Sequence, residues 1–247
     1  MADNFVFLHG GGQGGWVWDE TIVALKAQGG ADVQALALDG PGCGAKRDRD
    51  VDAMGLEAIN AELVSDIENS GMRDVILVGH SQAGTHIPRI VEARPDLFRK
   101  LVYVSCIAPD PGLTVIEMTG QRINAKVEGG GTPPYLDTSL TVEQRYALMF
   151  CNDMSAAEAG AFVGKLGKDG WPRACYAEKD WRYDHLGAIP ATYVLCLQDA
   201  VLPLAWQQRF AGRFHAGRSV SIDAGHQAMN SRPQALAEIL LAEARYS

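Results

Sequence analysis

A serine lies at a sharp turn between a strand and a helix in the segment VILVGHSQAG. The run 75–78 is apolar and rich in β-branched residues, which is typical of a strand buried on both faces, and a helical pattern follows at 82–93. At such a turn the serine adopts a strained backbone conformation, so its flanking positions, Gly79 and Ala83, must be small. The GxSxA motif therefore predicts that Ser81 is a nucleophile; N-capping of the helix is its alternative role.

A histidine and an aspartate follow the last two predicted strands. A serine hydroxyl is a poor nucleophile at neutral pH, so it needs a base and an acid that orients the base. His226, in SVSIDAGHQAMN, is the predicted general base because none of the other histidines follows a late strand. Asp199, in YVLCLQDAVLP, is the predicted acid because it ends a buried strand and gives the chain order Ser, Asp, His. Asp110, just past the preceding core strand, remains the alternative acid.

A glycine-rich loop, HGGGQGG, follows the first predicted strand and precedes the first predicted helix. Backbone amides that stabilise an oxyanion must approach the reacting carbonyl closely, and glycine leaves room for that approach. We predict that the N–H groups of Gly11 and of Gln82, the residue after the serine, form the oxyanion hole. Nucleotide binding is the alternative for such a loop, but only Asp39 comes near the acidic position that a ribose would require.

The elements that position these residues alternate between strands and helices along most of the chain. This alternation predicts a mainly parallel sheet of about six strands, with helices on both faces. The predicted strands lie at 5–9, 33–38, 75–78, 101–104, 192–197 and 219–222, and the predicted helices at 17–28, 56–69, 82–93, 204–214 and 233–245. Residues 111–187 interrupt the alternation, which predicts an inserted cap between a first core part, 1–110, and a second, 188–247.

The composition limits the partners of the chain. With 247 residues and 47% hydrophobic content, the chain can bury one substantial core. Its 22 basic and 30 acidic residues give a formal charge of −8, which opposes binding to nucleic acid or to an anionic membrane. We therefore expect a small-molecule substrate, with homodimer formation as an open question.

The cysteines and the N-terminus indicate the compartment. Five cysteines lie apart without CxxC spacing, a pattern that predicts neither a zinc site nor a disulfide framework. We accordingly expect no metal and no cofactor. The N-terminus has no basic leader, and no apolar run reaches the roughly 18 residues of a membrane span. The expected location is the cytoplasm.

With these motifs in place, the chain resembles the α/β-hydrolase family over nearly its whole length. The segments HGGGQGGWVW and GHSQAG resemble the small branch that contains plant methylesterases, bacterial esterases and hydroxynitrile lyases. The resemblance implies an α/β-hydrolase fold that starts at the family's third strand. It also implies that Ser81 attacks an acyl carbonyl, that His226 transfers the proton, and that Asp199 holds the imidazole tautomer.

Two positions bear on the choice between hydrolysis and lyase chemistry. The lyases that this sequence resembles carry a threonine after the first-strand histidine and a lysine after the catalytic histidine, where this chain has Gly10 and Gln227. A neutral Gln227 lacks the positive charge that would stabilise cyanide, so hydrolysis is favoured over cyanohydrin cleavage. A cofactor-free oxygenase and a ligand receptor with a vestigial active site remain alternatives.

The cap is expected to select the substrate. Its apolar and aromatic residues favour a small apolar or aromatic carboxylic ester, or a related carbamate, amide or lactone. The predicted pocket residues come from the cap, the glycine-rich loop and the histidine loop: Gly10, Gln13, Trp16, Gln227, Met118, Phe150 and Trp181.

Overall fold

The computed structural model describes residues 3–123 and 133–246. It contains a six-stranded sheet in the order β2-β1-β3-β4-β5-β6, and every neighbouring pair is parallel. The strands are β1 (Asp3–Leu8), β2 (Val33–Leu38), β3 (Val75–His80), β4 (Phe98–Val104), β5 (Ala191–Cys196) and β6 (Arg218–Ile222). The six parallel strands predicted from the sequence are therefore confirmed.

The helices cover both faces of this sheet. Successive residues of a strand point to opposite faces, and all side chains of β3 from Val75 to Val78 are fully buried. The α-helices of the described residues are α1 (Asp19–Gly29), α2 (Leu56–Asn69), α3 (Ile87–Ala93), α4 (Val115–Glu117), α5 (Val142–Phe150), α6 (Ala156–Val163), α7 (Ala174–Ala177), α8 (Leu204–Arg213), α9 (Ala228–Ser231) and α10 (Pro233–Arg245).

One predicted helix begins later than expected. The pattern at 82–93 predicts a continuous helix, whereas a 3-10 turn spans Ser81–Thr85 and α3 follows from Ile87. Pro88 lies in the first turn of α3, where its missing N–H group leaves no hydrogen bond unmade. The proline therefore determines where regular helix can begin, and the tighter turn before it carries Ser81.

The carboxyl ends of parallel strands meet at one edge of a sheet, where ligands usually bind. Ser81 follows β3, Asp199 follows β5, and His226 follows β6, so all three lie at this edge. Helices α4 to α7 lie between β4 and β5, in the segment predicted as a cap. Residues 124–132 of that segment lie outside the described residues, and the division into 1–110, 111–187 and 188–247 remains a prediction.

A buried ion network joins α10 to the sheet, away from the carboxyl ends of the strands where Ser81, Asp199 and His226 lie. The Glu243 carboxylate accepts hydrogen bonds from Lys100 Nζ at 2.8 Å, from Thr192 Oγ1 at 2.6 Å and from Arg218 Nε at 2.8 Å. Burial opposes ionisation of Glu243, but these donors hold its carboxyl pKa below the usual value. The network stabilises the packing of α10 on β4, β5 and β6.

Within 3–123 and 133–246, no helix is long and apolar enough to span a membrane.

Candidate active site

Ser81 occupies a strained turn directly after β3. Its φ angle is 52°, in the left-handed region that residues with a side chain seldom adopt. A Cβ atom at Gly79 would lie 2.4 Å from Ile87 Cδ1 and 3.0 Å from Ala83 Cβ, so only glycine fits there. The Ser81 carbonyl accepts a hydrogen bond from the Ile107 N–H at 3.0 Å, which holds the turn in place. The predicted strained turn is therefore present in the structure.

A chain of hydrogen bonds runs from Ser81 through His226 to Asp199. His226 Nε2 lies 3.0 Å from Ser81 Oγ, and His226 Nδ1 lies 2.7 Å from Asp199 Oδ2. The side chains of His226 and Asp199 are 1% and 0% exposed. Nδ1–H of the neutral ring donates a hydrogen bond to Asp199 Oδ2, which leaves Nε2 as an acceptor that faces the serine hydroxyl. The structure thus brings together the three residues that the sequence singled out.

Asp199 is held by donors on both carboxylate oxygens. Its Oδ1 accepts from the backbone N–H groups of Val201 at 2.7 Å and Leu202 at 2.8 Å, while Ser105 Oγ donates to Oδ2 at 2.5 Å. Sequence reasoning missed Ser105, although it directly follows β4 at the same edge as the other site residues. Its φ angle of 41° marks a second strained strand end. These contacts fix the orientation of the carboxylate beneath the imidazole.

The alternative acid, Asp110, lies in a different environment. Arg213, in α8, donates a hydrogen bond to its carboxylate and forms an ion pair with it. The His226 ring, by contrast, is bonded to Asp199. The geometry therefore favours Asp199 over Asp110 as the partner of the histidine.

His80, the residue before the serine, supports the histidine loop. Its Nε2 lies 2.9 Å from the carbonyl oxygen of His226, and the centres of the two rings are 4.6 Å apart. Burial, reinforced by the neighbouring His226, lowers the pKa of His80 well below its usual value. A neutral His80 that donates from Nε2 fits this carbonyl. Its place inside the GHS motif was visible in the sequence, but its role was not.

The orientation of the Gly10–Gly11 peptide supports the predicted oxyanion hole. The Gly10 carbonyl faces the core, where it accepts from His9 Nδ1 at 2.8 Å and from Trp171 Nε1 at 3.1 Å. The Gly40 N–H donates to His9 Nε2 at 3.1 Å, which leaves the proton of the neutral ring on Nδ1; burial lowers the His9 pKa to about 4. In a trans peptide the N–H points opposite to the carbonyl, so the Gly11 N–H points away from the core.

The Ser81–Gln82 peptide is oriented in a similar way. Its carbonyl accepts from the Ile107 N–H, so the Gln82 N–H points in the opposite direction. Gly11 and Gln82 both line the cavity that contains Ser81. The two backbone donors nominated from the sequence therefore lie at one site with the serine.

This cavity is small and mostly apolar. Its volume is about 140 Å³, and none of its described lining residues is Asp, Glu, Lys or Arg. Five of the lining residues were expected at the site from their place in the motifs or loops: Gly11, Gln13, Ser81, Gln82 and His226. Phe150, in α5, also lines it, and its ring centre lies 5.9 Å from that of His226. The pocket residues predicted from the sequence did not include the other lining residues: Ile107, Val115, Thr119, Met149, Val201 and Leu202.

Two predicted pocket tryptophans, Trp16 and Trp181, make packing contacts elsewhere and do not line this cavity. The indole N–H of Trp16 donates to Asp169 Oδ2 at 2.8 Å, and its ring centre lies 5.7 Å from that of Phe162. The indole N–H of Trp181 donates to the Leu113 carbonyl at 2.7 Å. Trp181 lines a separate cavity of about 260 Å³, which contains neither Ser81 nor His226. Both indole rings contribute to packing, in which large aromatic side chains bury much apolar surface.

Three further predicted pocket residues lie outside the lining. Met118 is fully buried in the core, and Gln227 is fully buried beside His226. Gly10 contributes its carbonyl to the core side of the oxyanion loop. Gly10 and Gln227 each adjoin a lining residue in sequence, Gly11 and His226, but do not themselves line the cavity. Among the described residues, no group of three His, Cys, Asp or Glu side chains could hold a metal ion.

Comparison with known proteins identifies relatives of the whole chain. The sequence model of the alpha/beta hydrolase family matches residues 5–239. The carbendazim hydrolyzing esterase of Nocardioides sp. (strain SG-4G) is 26% identical over 254 residues, which cover 97% of this chain and 98% of that protein. The pyrethroid hydrolase of Sphingobium wenxiniae is 27% identical over 254 residues, covering 96% and 86%.

Solved structures share the fold. The crystal structure of polyneuridine aldehyde esterase matches with a TM-score of 0.79 at 21% identity, covering 98% of this chain and 99% of that chain. At this identity the likeness shows the shared fold alone.

Proposed function

We propose that this chain, a member of the alpha/beta hydrolase family, cleaves a small, uncharged ester through an acyl-enzyme on Ser81. The chain is an enzyme of the carboxylic ester hydrolase type. The observation that carries the proposal is the hydrogen-bonded chain from Ser81 through His226 to Asp199 at the wall of an uncharged cavity. This arrangement supplies a nucleophile, a base and an orienting acid in one place.

In the first half of the proposed reaction, Ser81 Oγ forms a bond to the ester carbonyl carbon while His226 Nε2 takes the hydroxyl proton. The carbonyl oxygen becomes an oxyanion, which the N–H groups of Gly11 and Gln82 stabilise. Asp199 stabilises the protonated imidazole that this transfer produces. The bond to the leaving alcohol then breaks, and His226 returns the proton to its oxygen.

In the second half, water takes the place of the leaving alcohol. His226 removes a proton from the water as its oxygen attacks the acyl carbonyl, and the same two N–H groups stabilise the new oxyanion. Collapse returns the proton to Ser81 and releases a carboxylic acid. No other reactant is required, so the proposed products are one acid and one alcohol.

The lining of the cavity favours a small apolar or aromatic ester, or a related carbamate, amide or lactone, as the substrate. Its lining is mostly apolar, and Phe150 provides an aromatic wall beside His226. A charged substrate group would lose its hydration there without an opposite charge as a partner. The same lack of a cation in the described lining disfavours stabilisation of a cyanide leaving group, as Gly10 and Gln227 already indicated.

A fluorophosphonate tests the nucleophile without knowledge of the substrate. We expect one covalent adduct, on Ser81, in peptide mass spectra, and no adduct in Ser81→Ala. Turnover of para-nitrophenyl acetate should disappear in the same variant. Absence of an adduct in wild-type protein that is shown to be folded would refute the proposal and favour chemistry without a covalent intermediate.

A further inference from the structure

Two glutamine side chains interrupt the apolar wall of the cavity. Gln13 and Gln82 both line it and are only 1% and 5% exposed. Each has a fully buried amide atom without a hydrogen-bond partner in the described part of the chain, Oε1 of Gln13 and Nε2 of Gln82. Buried polar atoms are nearly always paired in folded proteins, and exceptions call for an explanation.

The Gln82 amide is held at one end only. Tyr176 shares a side-chain hydrogen bond with it. A Cβ atom at Gly11 would lie 2.4 Å from Gln82 Oε1 and 3.6 Å from the Tyr176 hydroxyl. Gln82 Oε1 therefore packs against Gly11, where a larger residue would collide with it. The other end, Nε2, is the unpaired one. Gln82 therefore has a fixed side chain with a free polar atom beside the oxyanion loop.

The Gln13 amide lies close to the nucleophile. The point that a Cβ atom at Gly10 would occupy is 3.0 Å from Ser81 Cβ and 3.4 Å from Gln13 Oε1. A substrate bound to Ser81 therefore lies within reach of this amide. The two glutamines place neutral hydrogen-bonding groups at the reacting end of a cavity that is otherwise mostly apolar.

An apolar ester has no donor for Gln13 Oε1, and in the proposed reaction its carbonyl oxygen is used by the backbone N–H groups of Gly11 and Gln82. A leucine or methionine at either position would line a cavity for such a substrate without leaving a polar atom unpaired. A charged substrate group would match neither amide nor the uncharged wall. A carboxamide or carbamate carries both a donor and an acceptor, so it can pair with a glutamine amide whichever way that amide is turned.

We propose that Gln13 and Gln82 are specificity-determining residues that select esters with a neutral amide-like group, a carboxamide or a carbamate, near the reacting carbonyl. This inference rests on the ester hydrolysis proposed above and names the substrate class of that same site. The two amides pair with the polar group, while Phe150 and the apolar wall hold the remainder of the substrate.

Two pairs of matched esters test the inference. In one pair the amide is in the acyl part, para-nitrophenyl N-acetylglycinate against para-nitrophenyl isohexanoate. In the other pair it is in the leaving group, para-acetamidophenyl acetate against para-isobutylphenyl acetate. Each kcat/KM is divided by the rate constant for hydroxide hydrolysis of the same ester, which removes differences in chemical reactivity. We expect the wild-type enzyme to prefer the amide ester in at least one pair.

Substitution of the glutamines should reduce that preference. In Gln13→Met and in Gln82→Met we expect the ratio of amide to apolar ester to fall by about 3- to 10-fold, the value of one neutral hydrogen bond. The matched control is Gln227→Met, which removes a fully buried glutamine next to His226 but outside the cavity lining. Its ratio should equal that of the wild type, and thermal melting shows which variants are folded.

The outcomes separate the two proposals. If wild-type enzyme shows no preference in either pair, or if folded Gln13→Met and Gln82→Met keep the full preference, the inference is wrong. Equal loss of preference in Gln227→Met would also overturn it, because the effect would then be indirect. In each case a fluorophosphonate adduct on Ser81 and turnover of the apolar esters would leave the proposed hydrolase function intact; loss of both would refute that function instead.

Discussion

Replacement of Asp199 by asparagine should disable the imidazole while it leaves the site nearly unchanged in shape. The backbone N–H groups of Val201 and Leu202 both donate to Oδ1 of Asp199. An asparagine must present its carbonyl oxygen to these two donors, which turns its NH₂ group toward His226 Nδ1 and Ser105 Oγ. The orientation of the new amide is therefore determined by the loop.

That orientation forces the wrong tautomer on the histidine. An NH₂ group can only donate, so His226 Nδ1 must become an acceptor and the ring proton must move to Nε2. Nε2 lies 3.0 Å from Ser81 Oγ and could then no longer accept the serine proton. The equivalent change in a serine protease lowers kcat about 10⁴-fold, roughly 5.4 kcal/mol of transition-state stabilisation, and we expect a similar loss here.

Steady-state kinetics with an activated ester measures this effect. We expect kcat to fall by about 10⁴ and KM to change little, because Asp199 does not line the cavity. The matched control is Asp110→Asn, which removes the same charge from a carboxylate bonded to Arg213 instead of His226. A severe loss of kcat in Asp110→Asn together with normal turnover in Asp199→Asn would refute the assignment of the acid.

Three further experiments test the oxyanion loop, the buried ion network around Glu243 and the cysteine thiols. Gly11→Ala places a Cβ atom 2.4 Å from Gln82 Oε1, so the Gln82 amide or the oxyanion loop must move; if the loop moves, kcat should fall about 10²-fold in the same ester assay, as on loss of one oxyanion donor. Lys100→Met breaks a buried ion pair with Glu243 and should lower the free energy of unfolding by about 3 kcal/mol in urea titrations at neutral pH. The Glu243 carboxyl pKa is lowered in the folded state, so the stabilisation from its ionised form is present above its unfolded value of 4.5 and should be lost as the pH falls from that value through the folded-state pKa. A free energy of unfolding of the wild type that does not change with pH in this range would contradict the network. Burial raises the pKa of the Cys43 thiol to about 12, and all five cysteines are buried, so native protein should react with iodoacetamide at pH about 8 far more slowly than unfolded protein.

Local patterns in the sequence predicted the elements and singled out the three residues of the hydrogen-bonded chain, Ser81, His226 and Asp199. The apolar run before Ser81 and the strand-end positions of Asp199 and His226 are visible within about ten residues of each motif. The cavity depends instead on contacts between distant segments. Trp16 could equally line a pocket or pack, and its partner Asp169 lies 153 positions away. No local pattern could therefore distinguish these two roles.

The order of the strands explains why distant contacts decide this site. Ser81 follows β3, and His226 follows β6, with β4 and β5 between them in the sheet. Neighbouring strands are about 4.8 Å apart, so three spacings, roughly 14 Å, separate β3 from β6, and the histidine loop must bridge this distance to reach the serine. The Gln198 N–H holds that loop at the Ala224 carbonyl, 2.9 Å away, and His80 holds the His226 carbonyl at the same distance. The motifs supply the candidate reacting groups, but these bonds set their spacing, and in enzymes a 1 Å misplacement of such groups can cost about 10²-fold in rate.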